Sequence, residues 1–146
     1  MPDTADAIRK KGLVICDNFH KHRWHIRYSQ SRPTQLRWPR FVTRQDCSGL
    51  VSCVMHLLDV MPGVDWRYQN TWSLIPRGKG VRSVKEAKPM DVVFYGPAPN
   101  NPVHVALYIG GGQVLSNGHY PMQKAPIDYR SDRIAIRRYI GVDPTT

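Results

Sequence analysis

Residues 44–54 read RQDCSGLVSCV. The polar approach Arg44-Gln45-Asp46 ends in a Cys-Ser-Gly turn. Apolar residues then recur at helical spacing through Leu50, Val51, Val54, Leu57 and Leu58, until Pro62 and Gly63 stop them. The stretch predicts a helix beginning near Ser48, with Asp46 or Ser48 as its cap, and places Cys47 at the helix entrance. Backbone N–H groups of a first helical turn lack partners within the helix and the helix dipole is positive there. A thiolate at Cys47 is therefore expected to be stabilised and its pKa lowered. The same N–H groups can hold the charge that develops on a carbonyl oxygen under attack, and Gly49 would keep that approach clear of a Cβ. Cys53 falls inside the apolar run and reads as a small buried hydrophobe.

The chain has 146 residues, 41% of them hydrophobic. That suffices for one core and is too short for two ordinary domains, so a single domain over residues 1–146 is expected. Cys16, Cys47 and Cys53 are odd in number, widely separated and without a CxxC pair, which argues against a disulfide framework and a cysteine-rich zinc site. No metal and no cofactor is expected. The N-terminal MPDTADAIRKKG carries both signs of charge and no apolar stretch, so it reads as neither signal peptide nor anchor. Synthesis in a reducing cytoplasm, without membrane insertion, is the expectation. Lys plus Arg number 21 against 11 acidic residues, for a formal charge of +10. Such a field attracts polyanions, whether nucleic acid, anionic lipid or an anionic cell-envelope polymer, without choosing among them.

Elsewhere, Ala5, Ile8, Gly12, Ile15 and Phe19 predict a helix from Thr4 to Phe19. From His20 to Thr43 aromatic and basic residues interleave and Pro33 and Pro39 break any long element, as in a structured loop. Residues 64–90 read as irregular around Arg77-Gly78-Lys79-Gly80. The pattern then becomes strand-like at Val92–Phe94, Val103–Ile109, Val114–Leu115 and Ile134–Ile140. The expected fold class is α+β, helices first and a small antiparallel sheet after.

A cysteine nucleophile needs a base. His20, His22 and His25 sit together in the loop without a companion ligand cluster, and His56 turns to the opposite face of the cysteine helix. His104 opens the strand HVALYI after a rigid Asn-Pro-Val approach, which puts it on a scaffold element. Beyond the Gly110-Gly111-Gly112 turn, Asn117 and His119 can return alongside and reach its far ring nitrogen. The residues alone leave two readings open: a Cys/His hydrolase, or a basic α+β domain of binding or structural use.

The phrases DCSGLVSCVMHLL, KPMDVVFYG and HVALYIGGGQVLS, in this order, closely resemble the NlpC-type cell-wall peptidases. These are papain-like cysteine peptidases of bacteria, phage lysins and phage tail proteins. The resemblance runs from about Tyr28 through Asn117. It implies a papain-like fold, with N-terminal helices packed on a small antiparallel β-sheet, and hydrolysis of peptidoglycan stem-peptide amides, often between D-glutamate and diaminopimelate, without a metal. Residue by residue, it implies Cys47 as nucleophile and His104 as general base. Asp91 falls on a turn acid of structural role, and Met90 stands where the family usually has glycine. Tyr28 resembles a tyrosine that reaches toward the nucleophile, with a longer gap to Cys47 that fits a phage-like loop.

The third catalytic position falls on Ser116 by the bacterial spacing and on Asn117 by the phage-like one; Asn117 is the assignment preferred, ahead of His119 and then Ser116. Asp46, Ser48, Gly49, Tyr28 and His119 are candidates for supporting or substrate contacts, in a groove flanked by Trp24, Trp38, Trp66, Trp72 and Tyr68. The partners expected are bacterial peptidoglycan and anionic envelope polymers, with no nucleic acid and a monomeric chain. The protein would act at the cell wall, virion-associated or released with a holin. An N-acetylmuramoyl-L-alanine amidase with the same chemistry and a non-catalytic wall-binding or tail module are the competing readings.

Overall fold

The computed structural model describes residues 4–35 and 44–142. Helix α1 spans Thr4–Lys21 and buries Gly12, Cys16 and Phe19 on one face. It runs past Phe19 because His20 and Lys21 continue its last turn, where the Lys21 ammonium meets the negative end of the helix dipole. Strands β1 (Arg27–Tyr28) and β2 (Arg44–Gln45) follow and pair in parallel, with Tyr28 opposite Gln45. Strand β1 lies within the segment read as loop and β2 directly after it, and two-residue strands leave no alternation to detect. Helix α2 spans Cys47–Leu57, and a one-turn helix, α3, spans Thr71–Leu74. Asn70 caps α3 through a reciprocal box with Ser73.

Strands β3 (Lys79–Gly80), β4 (Val92–Tyr95), β5 (His104–Gly110), β6 (Gln113–Ser116), β7 (Gln123–Pro126) and β8 (Arg133–Arg138) form a sheet in the order β3-β8-β4-β5-β6-β7, antiparallel throughout. The fold is thus α+β with helices ahead of an antiparallel sheet, as the sequence implies. The four expected strands appear with small shifts at their ends. The sequence does not reveal β3 and β7. Both residues of β3 are exposed, and β7 buries only Ala125, so neither carries an apolar stripe.

Alternation along the strands builds two cores. Val92, Phe94, Val105, Leu107 and Leu115 face the helices and pack with Leu50, Val54 and Phe19. Val93, Tyr95, Ala106, Tyr108 and Val114 face the other way and are covered by Val81, Val84 and Ala87. Helix α2 is buried continuously from Cys47 to Met55, so little of it beyond its entrance meets solvent before His56.

One turn explains two residues together. Asp91 is buried, accepts the Lys88 N–H at 2.9 Å and grips the Arg138 guanidinium at 3.0 and 2.9 Å. Beside it, Met90 has φ +74°, a left-handed conformation that glycine adopts without penalty. Its side chain is 1% exposed and lies against α1, where a Cβ on Gly12 would fall 2.5 Å from Met90 Cγ. Gly12 is therefore a packing residue inside a helix it would otherwise weaken.

Candidate active site

The site begins at the cap of α2. Asp46 is extended, and its Oδ1 accepts the Gly49 N–H at 2.8 Å, which starts the helix at Cys47. The same carboxylate receives Nη2 of Arg32 at 3.1 Å on each oxygen. That nitrogen also reaches Ser48 Oγ at 3.0 Å and the Gln69 carbonyl at 2.9 Å. Arg32 thereby ties the loop after β1, the entrance of α2 and the approach to α3 into one knot. Nothing in the sequence singles Arg32 out, because it is one cation in a loop crowded with them.

Gly49 does not serve as expected. Its N–H is committed to Asp46, and a Cβ there would meet Asp46 Oδ1 and Gln45 Cβ at 3.1 Å and Thr34 Cγ2 at 3.2 Å. The glycine lets the cap and β2 pack closely; it does not clear a path to the thiol.

Cys47 is 8% exposed and sits between α2 and the start of β5. The backbone N–H groups of Val105 and Ser48 and the Thr71 hydroxyl face its sulfur and favour the thiolate, yet burial outweighs them and pushes the thiol pKa above its ordinary value. The expected lowering is thus overturned: desolvation beats the helix entrance, because the sulfur is packed against the sheet instead of facing water.

His104 is the first residue of β5 and is 5% exposed. Its Nε2 lies 2.9 Å from Ser116 Oγ and 2.9 Å from the Tyr129 hydroxyl. Those two oxygens are 3.1 Å apart. Burial, and after it the Arg130 guanidinium, lowers the imidazole pKa to about 4, against smaller opposing pulls from Asp132 and Asp46.

Asn117 does not meet His104. Strand β6 pairs Leu115 with Leu107, and continuing that register sets Ser116 opposite Ala106 and Gly118 opposite His104. Ser116 therefore shares the His104 face as a diagonal neighbour, while Asn117 points to the helix side. There Asn117 is fully buried and its Nδ2 donates to the Gln45 carbonyl at 3.2 Å. His119 lies exposed beyond the end of β6. The residue beside the ring is thus Ser116 and not the Asn117 preferred from the sequence, because the pairing register that separates the two is a property of the folded hairpin. Tyr129, in the turn after β7, was missed altogether, and no local pattern connects it to His104.

Cys47 and His104 open onto one cleft of ≈ 490 Å³, with Asp46 and Ser48 in its floor and Tyr28 on its wall. Trp72 and Arg130 line it as well; Gly49, Asn117 and His119 do not. The Tyr28 hydroxyl accepts from Gln30 at 3.1 Å.

The sequence matches the model of the NlpC/P60 family over residues 27–142. The chain belongs to the NlpC/P60 family. No curated protein sequence matches it. Among solved structures, the NlpC/P60 chain is similar to NlpC1 from Trichomonas vaginalis (TM-score 0.64, 19% identity, 88% of this chain and 44% of that one). It thus spans less than half of that protein. It is also similar to the peptidoglycan hydrolase RipB from Mycobacterium tuberculosis (TM-score 0.64, 23% identity, 96% of this chain and 72% of that one). A third relative is RipD from the same organism, described as a non-catalytic NlpC/p60 domain protein adapted to peptidoglycan binding (TM-score 0.56, 18% identity, 88% of this chain and 98% of that one).

Of the aromatic residues expected to flank the groove of this NlpC/P60 chain, Trp72 does so. Trp66 instead stacks on His56 at 4.9 Å, Trp24 pairs edge-on with Tyr120, and Tyr68 is exposed beneath Arg67. Trp38 lies outside the described residues. Among the described residues no three His, Cys, Asp or Glu side chains gather as metal ligands, and no helix is long and apolar enough to cross a membrane.

Proposed function

We propose that this NlpC/P60 chain is a cysteine peptidase that cuts stem-peptide amides of bacterial peptidoglycan. The observation that carries the reading is the shared cleft of Cys47 and His104, with two hydroxyls on the Nε2 edge of the ring, which leaves Nδ1 for the thiol. Because burial holds the thiol protonated and the imidazole neutral, His104 takes the Cys47 proton as the sulfur attacks, not before. The Gly49 N–H is committed to Asp46 and the Ser48 N–H faces the Cys47 sulfur, so the donor left for the oxyanion at the helix entrance is the N–H of Cys47. His104 then protonates the leaving amine, and water releases the acyl-enzyme.

We assign the D-glutamyl-diaminopimelate bond on the family resemblance; the Arg130 guanidinium on the cleft is already paired with Asp132 at 2.9 and 2.7 Å. The role we favour is that of a phage-type lysin acting as a monomer at the cell wall. The competing amidase cuts at the first stem alanine. A purely binding role like that described for RipD is disfavoured by the retained thiol and imidazole. Digestion of purified peptidoglycans of differing stem chemistry, followed by mass analysis, tests the reading. New fragments with a D-glutamate carboxyl end that vanish with Cys47→Ala support it, and wall binding without fragments overturns it.

A further inference from the structure

The imidazole of His104 meets two hydroxyls on Nε2, where a carboxylate or amide oxygen would fix the tautomer by being an acceptor only. A hydroxyl can give or take, so the destination of each proton decides. Ser116 is 2% exposed, and among the described residues its Oγ has two hydrogen-bond partners, His104 Nε2 and the Tyr129 hydroxyl. If the Ser116 proton goes to Nε2, the ring proton sits on Nδ1, and the nitrogen left for Cys47 has no lone pair. If it goes to Tyr129, Nε2–H donates to Ser116 and Nδ1 stays basic. Tyr129 is 36% exposed, so its own proton can pass to solvent.

The imidazolium formed during attack sharpens the choice. Both its nitrogens then donate, and the chain Nε2–H to Ser116, Ser116 O–H to Tyr129 and Tyr129 O–H to water satisfies every donor. Without Tyr129 the buried serine proton would lose its acceptor whenever Nε2 carries hydrogen, and an unsatisfied buried donor is costly.

We propose that Tyr129 is the positioning residue that sets the tautomer of His104, by accepting the proton of Ser116 and so keeping Nδ1 free to serve as base. This rests on the peptidase reading for its purpose, but its geometry belongs to the resting protein. The charged and titratable groups acting on the ring, Arg130, Asp132, Asp46 and His119, are the same with or without the phenol oxygen.

The test uses two readouts on the full chain that need no peptidoglycan. Nitrogen-15 NMR of His104, identified by its loss in His104→Gln, reports the tautomer. The pH dependence of iodoacetamide capture at Cys47, located by peptide mass mapping, reports the base. Wild type should show hydrogen on Nε2. Tyr129→Phe should move the ring toward the Nδ1–H form and slow capture at neutral pH by ~10-fold, about what one lost hydrogen bond costs a rate. Ser116→Ala leaves the Tyr129 oxygen beside Nε2 and should cost less. An unchanged tautomer and capture rate in Tyr129→Phe, or a larger loss in Ser116→Ala than in Tyr129→Phe, overturns the proposal. Failure of wild type to release peptidoglycan fragments would overturn the peptidase reading and leave these two measurements standing.

Discussion

Gly118 lies across the sheet from His104, and a Cβ on it would stand 2.9 Å from the ring Cε1 and 3.5 Å from Nδ1. Real Cβ atoms do not approach that closely, and the ring cannot simply turn aside because Ser116 and Tyr129 hold its Nε2 edge. Gly118→Ala should therefore tilt the imidazole and cut kcat by on the order of 100-fold, the penalty of a displacement near 1 Å. Gly118 is exposed, so the melting temperature should barely move. Steady-state kinetics on a soluble stem peptide and a thermal melt check both halves; normal turnover would show that the ring has slack.

The pKa of His104, lowered to about 4 by burial and Arg130, moves the acid limb of activity. Above that value the base is present, so kcat/KM should hold through pH 6 and fall only near pH 4, where an unshifted histidine would already fail near 6.5. Stability follows the same sign. The unfolded histidine gains its proton below about 6.5 and the folded one only near 4, so the contribution is complete above 6.5 and is lost as pH falls toward 4. A pH–rate profile and urea midpoints between pH 7 and pH 4 read this directly. An acid limb near 6.5 would mean that water reaches the ring.

Asn117→Ala should lower stability by about 1 kcal/mol while leaving kcat within roughly threefold, because its amide bonds the Gln45 carbonyl and not the imidazole. Urea unfolding beside kinetics separates the two effects. A collapse of kcat at unchanged stability would restore Asn117 to the catalytic centre.

Gly12→Ala sets helix propensity against packing. Alanine gains up to about 1 kcal/mol in a helix interior. Its Cβ would stand 2.5 Å from Met90 Cγ and Sδ and 3.2 Å from Leu58 Cδ1. Overpacking of that kind costs about 1–3 kcal/mol, so net destabilisation is expected as a lowered urea midpoint at constant slope. A stabilised variant would show that the Met90 side chain has somewhere else to go.

The sequence by itself determined the α+β class, the helix entered at Cys47 and the strand opened by His104. Each rests on a local pattern: a cap before an apolar run, or an apolar strand run bounded by glycine and proline. It also carried the family and, through that resemblance, the structural turn acid Asp91, because each of the three motifs is a contiguous run of the chain. Tertiary structure decided the rest. Ser116 and Asn117 are adjacent in the chain, and only the pairing of β6 with β5 puts one on the face of His104 and the other against Gln45. Arg32 and Tyr129 reach the site from separate loops, where one cation among many and a single phenol have no signature. The charge state of Cys47 turned on burial, which a helix entrance read in isolation cannot report. Periodicity is written along the chain, whereas register, long-range contact and desolvation exist only once the chain has closed on itself.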